Sequence, residues 1–344
     1  MLRLELPSTK YEASYRTYLA EVDALGERRV PYQLMRPIED FAALVRGLEA
    51  NAAGRELPEG HVSNTTYWLI EDGEIVGVSN LRHRLTPFLE RRGGHIGYSV
   101  RPSARARGVG TRLLYFTLLE ARRLDLQSVL VTCAKDNVGS AGVIRANGGM
   151  LLSEDFVAED AEVVQRYHVP VPPRCSPEHA SLLESLGIDP AAMEARCLAS
   201  CAEATHLVVV ETDERGREHR LIPAAAQAWA EMKAAAASDG VSIRIVSAFR
   251  SIERQAEIVR AKLAGGADLA GILRVSAPPG YSEHHTGRAV DITTDGVRAL
   301  EEEFETTGAF RWLSAEARRF GFRLSYPRGN AAGYAYEPWH WCFR

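Results

Sequence analysis

Residues 169–177 hold four prolines in nine positions, and neither a helix interior nor a central strand tolerates that density, because each ring fixes φ and removes a backbone donor. A chain of 344 residues broken there falls into two halves, each long enough to bury its own core. The expected organisation is a domain over 1–169, a linker over 170–190 and a second domain over 191–344. Composition excludes more than it assigns. With 41 basic against 45 acidic residues and no basic cluster interleaved with aromatics, nucleic acid is not an expected partner. No run of about 18 uncharged apolar residues is present, and the first residues lack a basic stretch leading into an apolar one. The expectation is a cytoplasmic protein with no membrane partner. Five scattered cysteines fit reduced thiols. Cys197 and Cys201 lie one helical turn apart, but without a second Cys/His pair nearby they read as helix packing.

In the first half, apolar and polar residues alternate through Tyr67–Ile70 and Ile75–Asn80 around Asp72-Gly73, the pattern of a hairpin. A strand is expected at His95–Val100. Thr111–Arg123 places Leu114, Leu118 and Ala121 on one helical face, and Ser128–Cys133 returns as a strand. This is a mixed α/β unit. In the second half, Pro223–Ser238 reads as an Ala-rich helix with Pro in its first turn and Gly240 closing it, and Val241–Ser247 as a strand. Leu300–Phe320 reads as helical with a break at Thr307-Gly308.

Two segments of the second half concentrate chemistry: Ser282 to Asp291, which reads SEHHTGRAVD, and Tyr336 to Trp341, which reads YEPWHW. A catalytic zinc needs three protein ligands, an open position for water and a nearby base that is not a ligand. His284, Asp291 and His340 supply the ligands and Glu337 the base. Asp291 lies in an apolar strand pattern, Ala289–Ile292, where a carboxylate requires a partner. Trp339 and Trp341 are expected to wall the site.

These segments resemble the S-x-H-x-x-G-x-A-x-D and E-x-x-H motifs of the VanY-like D-alanyl-D-alanine carboxypeptidases and dipeptidases. The motif spacing selects His284 over His285. Ser247 to Gln255, SAFRSIERQ, is similar to that family's S-x-x-R-S-x-x-x-Q segment, in which the arginine faces substrate. The resemblance implies an α+β zinc peptidase of the hedgehog/D-Ala-D-Ala peptidase type acting on a small D-Ala-terminated peptide. It assigns zinc to His284, Asp291 and His340, acid–base work to Glu337, and oxyanion or substrate-carboxylate binding to Arg250. Gln255, Ser282 and Trp339 become substrate-side candidates.

In the first half, Arg105 to Gly110, RARGVG, follows a strand pattern and opens a helix, where free backbone N–H groups can bind a pyrophosphate. The segment is similar to the R/Q-x-x-G-x-G/A signature of the GNAT acetyltransferases. The resemblance implies an α/β fold with a mixed central sheet and an acetyl-CoA site using Arg105, Arg107, Gly108, Val109, Gly110 and Thr111, with Asn137 and Ser140 beside the pantetheine arm. Many members place a tyrosine seven residues after the asparagine as acid towards the CoA thiolate; this chain has Ile144. Tyr98, Tyr115 or a water then takes that role, or acetylation is slow. Glu71, Glu74 and Glu90 read as surface carboxylates, so no general base or acceptor amine is identified. A rival reading makes acetyl transfer the main activity and the second half a metal-stabilised module that binds peptidoglycan peptides.

Overall fold

The computed structural model describes residues 2–344 except Glu159, Asp160, Arg174, Cys197, Ala199 and Ala331; the Cys197 side of the cysteine pair considered above therefore lies outside the described residues. Its contacts divide into two compact units, residues 1–173 and 174–344.

The first unit contains strands β1 (Arg3–Glu5), β2 (Asn64–Glu71), β3 (Glu74–Arg82), β4 (Ile96–Val100), β5 (Ser128–Ala134), β6 (Met150–Val157) and β7 (Glu162–Pro170). Helices α1 (Glu12–Ala24), α2 (Phe41–Ala52), α3 (Pro87–Arg91), α4 (Val109–Arg123) and α5 (Val138–Ala146) accompany them. The hairpin forms where Asp72-Gly73 predicts it. Both residues take positive φ, 50° and 85°, the twist-matched turn that asparagine, aspartate and glycine tolerate. The strands assemble as β1-β2-β3-β4 and β5-β7-β6, antiparallel within each sheet. The start of β4 meets β5 where His95, just before β4, donates its N–H to the Leu130 carbonyl at 2.7 Å. Helix α4 buries Leu114, Leu118 and Ala121 in the same cluster as Val129 and Val131 of β5.

The second unit begins inside the stretch expected to be linker. Pro177–Ser185 is a helix, α6, because Ser176 caps it, accepting from His179 N at 3.2 Å, and Pro177 occupies a first-turn position that needs no N–H. Its Leu183, with Leu186 and Ile188, packs into a cluster with Val259 and Ile272. The expected 170–190 linker is thus corrected: its second part is structural to the following domain. The remaining helices are α7 (Pro190–Ala195), α8 (Pro223–Ser238), α9 (Ile252–Ala264), α10 (Leu269–Val275) and α11 (Gly308–Glu316). Strands β8 (Val208–Thr212) and β9 (Glu218–Leu221) pair alone, while β10 (Arg244–Ser247), β11 (Ala289–Thr293), β12 (Phe322–Leu324) and β13 (His340–Phe343) form an antiparallel sheet ordered β10-β11-β13-β12. Helix α8 turns Ala225, Trp229, Met232 and Ala236 onto one face of that sheet, and Gly240, at φ 74°, ends the turn after it. Burying a side chain the size of Met232 contributes about 1.5–3 kcal/mol, and Val290 and Ile292 of β11 pack into the same cluster.

Candidate functional site

All five residues of β11 are buried. Alternation sends Val290 and Ile292 into the core with Trp229 and Asp291 to the opposite face. The antiparallel register sets Asp291 opposite Ser247 of β10 on one side and His340 of β13 on the other. Next to His340, Trp341 joins the core, its Nε1 donating to the Pro338 carbonyl at 3.0 Å. Trp341 therefore does not wall the site as expected from sequence; Trp339 does line the cavity. His284 arrives on a single turn, Glu283–Thr286, that closes on Gly287 at φ 63°. A Cβ there would lie 2.8 Å from Leu207 Cδ2, so glycine is required both for conformation and for space.

His284, Asp291 and His340 present their ligand atoms within 4.8 Å of one another, all buried. The outer nitrogens settle how the rings face. His284 Nδ1 donates to the Ala248 carbonyl at 2.7 Å, and His340 Nε2 donates to Glu283 Oε2 at 3.1 Å; neither partner can be a donor when Glu283 is ionised. The inner nitrogens, His284 Nε2 and His340 Nδ1, then converge on the Asp291 carboxylate at 3.2 and 3.0 Å. Two neutral rings would turn lone pairs onto the carboxylate here, so positive charge must lie among the three groups, either a proton on His340 Nδ1 or a metal ion. A divalent cation meets all three groups at once, and the separations are near the roughly 3.3 Å edge of a tetrahedron with bonds of about 2.0–2.1 Å. The residues fit a zinc ion.

Glu283 is the residue sequence reasoning missed. It lies between Ser282 and His284, in a position the motif leaves variable, and orients His340 from behind through Oε2, which also accepts from Ser325, while Arg344 holds Oε1. Burial alone would raise its pKa, but His340 and Arg344 hold it down at about 2. Burial likewise opposes ionisation of Asp291, and the two histidines overcome it, keeping the carboxylate well below its usual range.

Glu337 stands on the inner side of the triad, with Oε2 3.8 Å from His340 Nδ1. Burial, with the nearby Asp291 charge, raises its pKa to about 7. Arg250 approaches Asp291 Oδ2 at 3.9 Å and is fixed by Nη1 donating to Gln255 Oε1 at 2.7 Å and Nη2 to Ser247 Oγ at 3.1 Å. Gln255 is 1% exposed, and its other end donates to the Ala277 carbonyl at 2.6 Å. The sequence expectation that Gln255 contacts substrate is therefore corrected: it positions Arg250. His285 points away from the triad, Nδ1 donating to the Arg250 carbonyl at 2.6 Å and Nε2 accepting from Gly280 N at 3.0 Å. A cavity of about 640 Å³ opens over the triad, with Ser282, Arg250, Glu337 and Trp339 in its wall.

In the first unit, Gly108 takes φ 75° as the N-cap of α4, a conformation that suits glycine. Gly110 is buried, and a Cβ on it would lie 3.1 Å from Val143 and 3.4 Å from Val100. Its lack of a side chain lets α4 pack closely there, while its backbone N–H belongs to the first turn of α4. Val109 is buried and Thr111 partly so. Arg105 forms a two-pronged pair with Glu27, both contacts 2.6 Å, and Arg107 pairs with Glu71 at 2.8 Å. Asn137 caps α5, accepting from Ser140 N at 2.9 Å, and Ser140 Oγ lies 2.9 Å from Tyr98 Oη. Ile144 is wholly buried in the core.

These features define a class: an α+β domain with a buried three-ligand metal-type site, following a separate α/β domain in the sequence. Residues 218–344 match the model of the D-alanyl-D-alanine carboxypeptidase family VanY, and residues 33–148 match that of the GNAT acetyltransferase family. The chain carries one domain of each family. A D-alanyl-D-alanine carboxypeptidase of Enterococcus faecalis is 36% identical over 117 residues, 31% of this chain and 42% of that protein. The putative carboxypeptidase YodJ of Bacillus subtilis is 32% identical over 146 residues, 40% of this chain and 53% of that one. The chain thus spans about half the length of the curated relatives it matches. A variant of the vancomycin resistance D,D-pentapeptidase VanY, solved with Zn(II), is 32% identical, with 41% of this chain and 82% of that one covered and a TM-score of 0.34. No helix among the described residues is long and apolar enough to cross a membrane.

Proposed function

We propose that the second unit, residues 174–344, forms a zinc peptidase that hydrolyses a D-Ala-D-Ala or related cell-wall peptide bond. The observation that carries this reading is the convergence of His284 Nε2, Asp291 and His340 Nδ1 beside Glu337. When bound, zinc supplies Lewis acidity that polarises the scissile carbonyl and acidifies water. Glu337 takes a proton from the attacking water at Oε2 and returns it to the leaving amine; a group titrating near 7 serves both directions. Arg250, locked by Gln255 and Ser247, faces the oxygen that develops negative charge. Ser282 and Trp339 line the substrate's approach.

The first domain, on the same proposal, is an acetyl-CoA-dependent N-acetyltransferase for an unidentified amine. The amides at the start of α4, behind Gly108, hold the CoA phosphates, and Asn137 and Ser140 flank the pantetheine arm. Of the tyrosines that stand in for the missing acid, Tyr98 is the better placed, since it reaches Ser140. Burial raises its pKa and keeps the phenol protonated, as a proton donor requires. We place the protein in the cytoplasm, where reduced thiols such as Cys133 and Cys342 persist. Metal analysis of the purified protein with a D-alanine release assay tests the peptidase reading. One zinc per chain and release abolished by chelation are expected; a metal-free protein that releases D-alanine contradicts it.

A further inference from the structure

Helix α9 directs Arg254, Ile258 and Lys262, spaced four residues apart, into the cavity above the triad. The three differ in what already holds them. Arg254 is 62% exposed in its side chain and pairs with Glu257 at 2.6 Å. Lys262 is partly buried, and its Nζ donates to Ser276 Oγ at 2.6 Å. Among the described residues no carboxylate lies within ion-pair distance of Lys262. A long lysine on a helix ordinarily extends its ammonium into water; this one is drawn to a hydroxyl, and a second cation, Arg250, lines the same cavity. Two of its three donor hydrogens remain for a ligand. Burial and the Arg250 charge disfavour its protonated form, with the Glu337 charge offsetting only part of this, and an anion bound between the two cations lowers the remaining cost.

We propose that Lys262, steadied by Ser276, binds the free terminal carboxylate of the substrate, so that the site selects peptides that end in an acid and leaves Arg250 for the reacting carbonyl oxygen. This rests on the peptidase reading of the cavity. The division of labour follows from position: Arg250 lies beside Asp291, at 3.9 Å, whereas Lys262 lines the α9 and Ser276 side of the cavity.

The test uses the zinc-loaded full chain and a pair of peptides ending in D-Ala-D-Ala, one with a free carboxylate and one amidated. Calorimetric binding is measured in the Glu337→Ala background, and cleavage in the otherwise unaltered protein. Wild-type Lys262 should favour the acid by about 10–100-fold, the range for a charge-assisted hydrogen bond. Lys262→Met should erase most of that preference through weaker acid binding and a higher KM, with kcat and zinc content little changed. Lys262→Arg should restore part of it, and Ser276→Ala should weaken acid binding less than Lys262→Met does. Equal binding of acid and amide by the Lys262 protein, or an undiminished preference in Lys262→Met, overturns the assignment even if the peptides are cleaved. Acid-selective binding that depends on Lys262 without any cleavage supports the assignment and overturns the peptidase reading instead.

Discussion

Zinc affinity should depend on pH in a way that reports the partners of His340. Burial opposes a charged ring there, but its hydrogen bonds to Asp291 and Glu283 raise its pKa to about 10. A ligand whose pKa lies above the working pH holds a proton that the metal must displace, so apparent affinity is low in acid and rises until the pH reaches the pKa. His284, pushed below its ordinary range chiefly by burial, is already neutral at pH 7 and adds nothing to the slope. Between pH 7 and pH 9 the wild-type protein should therefore gain about 100-fold in affinity, or ~1.4 kcal/mol per pH unit, releasing about one proton per zinc. Glu283→Gln removes one of the two carboxylates that hold that proton. The rise should then level off at a lower pH, and the plateau affinity should fall by about 10–100-fold, because the ring loses an orienting anion. Competition with a chromophoric chelator across this range, together with calorimetry in buffers of different ionisation enthalpy, measures both quantities. A flat wild-type profile, or a Glu283→Gln profile that superimposes on wild type, would refute the reasoning.

Three other substitutions probe separate parts of the account. Gly108→Asp keeps a residue type that tolerates positive φ while placing a carboxylate at the start of α4; CoA binding to the full chain by calorimetry should weaken at least tenfold, and unchanged binding would remove the phosphate role of that turn. Gly287→Ala meets Leu207 at 2.8 Å and a φ of 63°, so it should lower stability by about 1–3 kcal/mol, read by denaturant unfolding of the zinc-loaded protein. His284→Ala should lose most of its zinc, whereas His285→Ala should keep it and lose about 1–3 kcal/mol of stability through its two broken buried hydrogen bonds; equal zinc loss from both would sink the ligand assignment.

The parts of the fold legible in the sequence are those with strong local chemistry. Asp72-Gly73 marks its turn because few other residues accept two successive positive φ values, and Pro223 and Gly240 bracket α8. The triad is legible because His284, Asp291 and His340 sit in two short segments whose strands pair directly. What escapes local reading depends on direction. Gln255 looks like a substrate contact until α9 is seen to turn it inward with Ala256 and Val259. Trp341 looks like a wall until strand parity sends it opposite to His340. Gly110 also has a packing role that no local pattern shows, since Val143 and Val100 lie where a Cβ would be. Helix α6 is hidden because prolines around it signal a linker, although Ser176-Pro177 is a sound helix start. Glu283 and Lys262 acquire meaning only from partners 57 and 14 residues away, which no local pattern supplies.

The central claim is that Glu337 moves the proton while His284, Asp291 and His340 hold the metal, and the most direct measurement is D-alanine release by Glu337→Ala compared with wild type at equal zinc occupancy. Since one group serves both proton transfers, and such assistance is typically worth about 10²–10⁴-fold, the variant should retain its zinc and lose at least a hundredfold in rate. A Glu337→Ala protein that keeps its zinc and releases D-alanine at near wild-type rate would contradict the account and assign the base to another group.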